Sequence, residues 1–298
     1  MQYAHPESTP EPSPPVPIRH AATVLVCRDS DAGPEVLMIQ RHALSDVHAG
    51  SYVFPGGKLD AADARLDAGL HLDQEHAQLH ALLHEPETDA ATAAALHVAA
   101  VREAFEESGL LLAQGLDAEG ARRASALAAE RVPFNDMLGQ MGLRLDTQAM
   151  RPWSRWITPP QPLHSPGKRF DTRFFVAQAP EGQEACHDDH EAVLCAWLRP
   201  RAALERYWAG EIALAGPQVM SLAHLARHAS VESILAEAQG RAPCLVRPVT
   251  FDVDGGRAAA YPGDERHPER QRVMPGPLRL VLRGRRLEPP GGFDEFWA

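Results

Sequence analysis

A chain of 298 residues, 44% of them hydrophobic, holds one large domain or two small ones and has enough apolar side chain for a substantial core. Its formal charge of −11 argues against a nucleic-acid backbone as the main partner, but a nucleotide needs only a local basic patch. No apolar run approaches the roughly 18 residues of a membrane span, and the polar, proline-rich start is unlike a secretory signal.

Taken in order, residues 1–17 carry six prolines and little to bury, so a flexible or extended tail is expected. Residues 20–28 and 35–41 are branched-aliphatic runs separated by a turn-rich stretch, which predicts a β-hairpin. Residues 48–54 lead into Pro55-Gly56-Gly57, where two glycines let the backbone come close to a ligand. Residues 61–88 are acidic and helical in pattern, with His76, His80 and His84 one turn apart. Imidazoles so spaced can share a zinc ion; with no matched carboxylate or cysteine beside them, a solvent-facing helical hairpin is the preferred reading. Residues 98–110 (VAAVREAFEESGL) predict a helix with Val98, Val101 and Phe105 on one face and Glu103, Glu106 and Glu107 on the opposite one, stopped by Gly109.

Helices are expected at 117–132, ending before Pro133, and at 134–141. Residues 153–158 and 170–178 alternate as strands, with Pro159, Pro160, Pro162 and Pro166 enforcing a loop between them. A buried strand is expected at 192–198, directly after the acidic run ending in Glu191. Residues 200–208, 217–228 and 231–239 have helix periodicity, and 244–253, 257–261 and 278–282 look like further strands. Cys27, Cys186, Cys195 and Cys244 have no CxxC spacing and read as core or incidental thiols. The last three residues, Phe296, Trp297 and Ala298, are not a peroxisomal tripeptide of the Ser-Lys-Leu type, and a cytoplasmic location is expected.

The three glutamates need a physical account. Like charges one turn apart cost an isolated helix roughly 0.2–0.5 kcal/mol per pair. A solvated acidic face is one reading; the other is that a hard divalent cation, which takes oxygen ligands, sits against them. Arg102, one turn before Glu106, can pair with it and hold its carboxylate in one rotamer. Residues 53–60 (VFPGGKLD) add a second stretch, and together the two resemble the Nudix hydrolase signature GX5EX7REUXEEXGU, with U a bulky aliphatic. Arg102, Glu103, Glu106, Glu107, Gly109 and Leu110 match its second half, with Ala104 at a U position. Gly57, preceded by Gly56, matches the first half.

The resemblance implies an α/β fold: a Nudix-type α/β/α sandwich with a mixed sheet, plus a helical insertion and extra C-terminal helices and strands. The expected organisation is a tail (1–17), a Nudix domain (18–265) with an insertion at 61–88 and a helical segment at 200–240, and a C-terminal extension (266–298). In an uninterrupted signature the arginine lies 14 positions after the box glycine, at position 71; here it is Arg102, so 31 residues are inserted. Counting back from Arg102 puts Ala94 at the place of the first glutamate, with Glu85, Glu87 or Asp89 as candidates to stand in. The resemblance further implies Mg²⁺ or Mn²⁺ held by Glu103, Glu106 and Glu107 with a backbone carbonyl of Gly56 or Gly57. Glu106, Glu107, Arg102 and Glu191 are the catalytic candidates. Glu191 is read either as an additional metal ligand or base on a loop, or as part of an ordinary polar turn. Arg41, Lys168, Arg169 and Arg173 are the candidates for binding substrate phosphate, since arginine offers a bidentate fork.

The inserted box, Gln40-Arg41, residues 50–57, residues 169–175 and residues 261–265 are similar to the peroxisomal-type coenzyme A diphosphatase branch; the wider coenzyme A signature has an arginine between Arg41 and Gly50 where this chain has HALSDVHA. The expected activity is cleavage of coenzyme A or acyl-coenzyme A into 3′,5′-ADP and 4′-phosphopantetheine by attack of an activated water on phosphorus. Two alternatives are a diphosphatase of ADP-ribose or another nucleoside diphosphate derivative, and a non-catalytic Nudix-fold nucleotide sensor. The expected partner is thus a small-molecule nucleotide, with no nucleic acid and no membrane, and a homodimer is left open.

Overall fold

The computed structural model describes residues 16–41, 51–163, 167–185 and 192–298. Strands β1 (Ile18–Ser30) and β2 (Gly33–Arg41) form the expected hairpin. From it an eight-stranded mixed sheet extends in both directions. On one side β1 pairs parallel with β6 (Arg169–Gln178), β6 antiparallel with β5 (Met150–Ile157), and β5 parallel with β8 (Cys244–Val246). On the other, β2 takes β3 (Tyr52–Val53) and β7 (Ala192–Leu198), while β4 (Gly56–Lys58) lies antiparallel to β1.

Both faces of this sheet are buried, and the period-2 geometry of a strand divides its side chains between them. Ala22, Val24, Val26 and Leu37 face one core; Leu25, Cys27, Val36 and Met38 face the other. The first is covered by α3 (Ala90–Ser108), whose small residues Ala93, Ala100 and Ala104 let it lie close to the sheet. Asp89 caps α3 by accepting from the Thr92 N–H, and Gly109 ends it at φ +76°. The second core is covered by α6 (Pro200–Trp208), α7 (Gly216–Leu225) and α8 (Val231–Gly240) through Leu204, Val219, Leu222 and Ile234. This is the α/β/α sandwich that the sequence implied. Helices α4 (Ala118–Ala129) and α5 (Phe134–Met141) also lie where periodicity put them.

Three expectations change. The extra chain holds α1 (Ala68–His71) and α2 (His76–Leu83), but α2 buries Leu79 and Leu83 in the core with α3 and is not a solvent-facing hairpin. Its histidines form no metal grouping among the described residues: His80 Nε2 bonds to the Glu85 carbonyl at 2.9 Å, and His84 ends the helix in left-handed conformation. Strand β7, expected to be buried, pairs among the described residues with β2 alone and leaves Leu194 exposed. Residues 244–253 are two strands in different sheets, because Pro248 has no N–H to donate and steers Arg247 out of the ladder. Beyond it β9 (Val249–Val253), β10 (Gly256–Ala260), β11 (Arg279–Arg283) and β12 (Arg286–Glu288) make a four-stranded antiparallel sheet. Residue 265, the expected end of the main domain, falls in the connection between β10 and β11. The tail up to residue 15, the segment 42–49 and Cys186 lie outside the described residues. No helix among the described residues is long and apolar enough to cross a membrane.

His97 is fully buried in α3, its Nδ1–H donating to the Ala93 carbonyl at 2.8 Å and its ring 4.7 Å from that of Phe175. Burial brings its pKa down from 6.5 to about 4. As pH falls through 6.5 the unfolded chain takes up a proton that the native chain refuses until about pH 4. Stability should therefore fall across that window by about 1.4 kcal/mol per pH unit for this residue. His97→Phe should flatten the dependence of the urea-unfolding free energy on pH between 6.5 and 4; an unchanged slope would place the proton uptake elsewhere.

Candidate active site

The Pro-Gly-Gly turn and the glutamate face of α3 meet. Pairing of β4 with β1 sets Gly56 opposite Thr23 and Gly57 opposite Ala22. A Cβ on Gly56 would lie 2.4 Å from Thr23 Oγ1 and 2.5 Å from the Ala22 carbonyl oxygen, and one on Gly57 would lie 2.4 Å from the Glu103 carboxylate. Backbone on β1 leaves no room for a side chain at Gly56, and one at Gly57 would have to push the Glu103 carboxylate aside. The Gly56 N–H donates to Glu107 Oε2 at 2.8 Å, which fixes that carboxylate against the turn. Exposure is graded: Glu107 is 7% exposed, the Glu103 side chain 13% and the Glu106 side chain 45%.

Arg102 organises this face. Its Nη1 donates to Glu103 Oε1 at 2.9 Å and to Glu106 Oε2 at 2.8 Å, and its Nη2 to the Lys58 carbonyl at 3.1 Å. The remaining donors form a fork on Asp63, Nε to Oδ1 at 2.7 Å and Nη2 to Oδ2 at 3.0 Å. Burial alone would weaken the charge, but the hydrogen bonds from Asp63 and the attraction of Glu103, Asp63 and Glu106 outweigh it and raise the guanidinium pKa above its ordinary value.

Asp63 is a residue that the sequence reading missed. Counted forward from Gly57, five residues intervene before Asp63, the spacing that the signature gives between its glycine and its first acidic residue. Counting back from Arg102 crosses the insertion and lands on Ala94, which is buried in α3. The extra chain therefore lies between Asp63 and Arg102. None of the three expected stand-ins reaches the turn. Glu85 and Glu87 pair with Arg155 at 3.1 and 2.6 Å, and Asp89 is the cap of α3.

Arg173 is likewise not brought to the site. It is 1% exposed, with Nη2 2.5 Å from Glu85 Oε2 and Nη1 3.2 Å from Asp171 Oδ2. Arg155 completes this buried cluster with a fork on Asp171 at 2.8 and 2.7 Å. Burial opposes ionisation of Asp171, but its bonds to Arg155 and the charge of Arg173 hold its pKa below the ordinary carboxylate value. The other three basic candidates do line the cleft that contains the glutamates. Lys168 is exposed on its loop, and Arg169 donates Nε and Nη2 to the Thr158 carbonyl at 3.2 and 3.0 Å. The buried Nε of Arg41 has no hydrogen-bond partner among the described residues. Arg19 and Lys58 join them, residues that the sequence reading did not select. Glu191 lies outside the described residues.

The cleft has a volume of about 1160 Å³ and runs from the glutamates across β5 and β6 to the four-stranded sheet. A smaller polar pocket of about 490 Å³ adjoins it, lined by Arg19, His20, Lys58, Asp60, Arg102 and Glu103. The donor set at the carboxylate end is all oxygen, against a glycine turn that the carboxylates approach closely, and so suits a hard divalent cation.

The NUDT19 Nudix domain family matches residues 18–225. The chain is similar to the acyl-coenzyme A diphosphatase NUDT19 of Gallus gallus, at 29% identity over 303 residues, covering 84% of this chain and 80% of that protein. It is similar to the protein of the same name from Homo sapiens, at 29% identity over 303 residues, covering 88% of this chain and 76% of that one. The crystal structure of a NUDIX hydrolase from Alicyclobacillus acidocaldarius superposes with a TM-score of 0.61 at 28% identity, covering 74% of this chain and 96% of that one.

Two substitutions separate bracing from close approach. Asp63→Ala removes one partner of a buried pair and should lower the urea-unfolding free energy by about 3 kcal/mol. Gly57→Ala should displace Glu103 and weaken Mn²⁺ binding by about 10- to 100-fold in a calorimetric titration. Wild-type Mn²⁺ affinity in Gly57→Ala would mean that Glu103 is not a ligand.

Proposed function

Because the chain belongs to the NUDT19 Nudix domain family of hydrolases, we propose that it cleaves the diphosphate linkage of coenzyme A or acyl-coenzyme A. The products are 3′,5′-ADP and 4′-phosphopantetheine, the latter bearing the acyl group where the substrate has one. The relatives named above support the substrate class. The observation that carries the reaction is the meeting of Glu103 and Glu107 with the Gly56-Gly57 turn, Glu106 lining the same cleft along with Lys58, Lys168 and Arg169.

A diphosphate resists hydrolysis because its negative oxygens repel a nucleophile. Glu103, Glu106 and Glu107, with a carbonyl of the glycine turn, would hold Mg²⁺ or Mn²⁺. Such an ion, when bound, neutralises phosphate charge and makes an attacking water more acidic. The chain's own groups do the rest. Arg102 keeps the Glu103 and Glu106 carboxylates in one geometry, and the Gly56 N–H does the same for Glu107, so little reorganisation is needed when substrate arrives. Glu106 is the most exposed of the three, and its carboxylate is the candidate acceptor for the proton that the water loses. As the water oxygen bonds to phosphorus the bridging P–O bond breaks, and the leaving phosphate departs as a phosphomonoester. Lys168, Arg169 and Arg41 bind the substrate's phosphates, Arg41 through an Nε that the described protein leaves unmatched.

Glu106→Gln should lower metal-dependent turnover of coenzyme A by about 10²- to 10⁴-fold without unfolding the protein. Retained turnover would remove Glu106 from the chemistry. A panel of coenzyme A, acyl-coenzyme A and ADP-ribose, with products identified by mass, tests the substrate class. Preference for ADP-ribose would replace it.

A further inference from the structure

The cleft has two chemically different ends. Carboxylates, glycine backbone and cationic groups make one. At the other the lining becomes Trp156 and Phe174 from the large sheet, Ala259 and Leu287 from the four-stranded sheet, and Tyr261 directly after β10, each 5% exposed or less. The Trp156 ring lies 6.3 Å from that of Phe174 and 5.9 Å from that of Tyr261, so one aromatic row joins the two sheets. This wall is held in place from behind. The Tyr207 hydroxyl accepts from the Leu287 N–H at 2.7 Å and donates to the Leu287 carbonyl at 2.9 Å. Gly216, at the start of α7, is packed so closely that a Cβ there would stand 3.0 Å from Tyr261 Oη and 3.6 Å from Leu287 Cδ1. Diphosphate cleavage uses none of these apolar groups, and the sheet that supplies Ala259 and Leu287 lies beyond residue 225, where the family match ends, as does Tyr261.

We propose that this apolar end binds the acyl chain of an acyl-coenzyme A substrate, and that the four-stranded sheet, through Ala259 and Leu287, sets the length of chain accepted. The inference rests on the coenzyme A diphosphatase reading of the same cleft. In that substrate the thioester is at the far end of the pantetheine arm from the diphosphate, so the acyl chain is carried away from the carboxylates. The volume of about 1160 Å³ exceeds the roughly 300–1,000 Å³ of an ordinary small-ligand pocket, which leaves room for the arm and what it bears. A free thiol gains little from an aromatic and aliphatic lining. Each methylene removed from water gains about fourfold in affinity, the equivalent of about 0.8 kcal/mol.

The test uses the full chain and coenzyme A with its butanoyl, octanoyl and dodecanoyl thioesters, below micellar concentrations. Binding is titrated calorimetrically with chelator present, and kcat/KM is measured with Mg²⁺. Affinity should rise by about fourfold per methylene until the end wall is reached. Ala259→Leu, which fills that end, should lower the ratio of kcat/KM for dodecanoyl-coenzyme A to that for coenzyme A at least tenfold. Should circular dichroism show that this variant does not fold, Leu163→Gln, on the half-buried loop packed against the same cluster, should lower the ratio at least fivefold. If coenzyme A is cleaved but neither affinity nor the ratio responds to chain length, the proposal is overturned and the diphosphatase reading stands. If no thioester or thiol form is cleaved, the diphosphatase reading fails, and the chelator titration alone decides whether the apolar end takes an acyl chain.

Discussion

Four carboxylates and one guanidinium meet at the junction of α3, the glycine turn and the start of the extra chain, and the rest of the site follows from how Arg102 divides its donors. Five N–H groups in a rigid fork are enough to grip Asp63 with two, reach Glu103 and Glu106 with a third group, and tie down the Lys58 carbonyl. A lysine would supply the charge but not the plane. The fork therefore locks three segments of chain to one another, and it does so where neighbouring glutamates would otherwise push each other into different rotamers.

A second ion cluster lets the fold accept a long insertion in the middle of its most constrained motif. Asp63 and Arg102 stay in contact although 39 positions separate them. The chain between returns to the sheet through Glu85 and Glu87, which are taken up by Arg155 on β5 and Arg173 on β6. Leu79 and Leu83 bury the apolar side of α2 against α3, so the inserted chain contributes to the core that holds α3 to the sheet. Lengthening a connection adds only slowly to its closure cost; two anchored ends and a packed middle offset it.

The parts that were legible in the sequence are those set by local pattern. The β1–β2 hairpin, the α3 faces and the double-glycine bend follow from alternation, helical spacing and the special freedom of glycine. What was not legible depends on which face of an element is covered by something distant. Arg173 sits on a strand whose two faces are both buried, so alternation could not say that it pairs with Glu85, 88 positions earlier. Strand β7 has a sequence as apolar as a core strand yet stands at an edge. Asp63 was hidden by the direction of counting: the interval from Gly57 is intact, and only the interval to Arg102 is stretched. Pro248 carried the information that residues 244–253 are two strands, through its missing N–H.

The choice between a solvated acidic face and a liganding one turns on burial. A glutamate paired at the surface of this chain stays largely exposed, as the Glu265 side chain does at 80% beside Arg279. Glu103 and Glu107 are withdrawn far more, and taking a carboxylate out of water is unfavourable unless hydrogen bonds or opposite charge compensate it. Arg102 compensates Glu103, Glu106 and Asp63 and the Gly56 N–H compensates Glu107, which gathers four formal negative charges about one guanidinium at the mouth of a cleft whose other charged residues are basic. Under the proposed function a dication would stand between those carboxylates and an anionic diphosphate, an arrangement in which an acidic helix face and cationic loop residues share a single cavity.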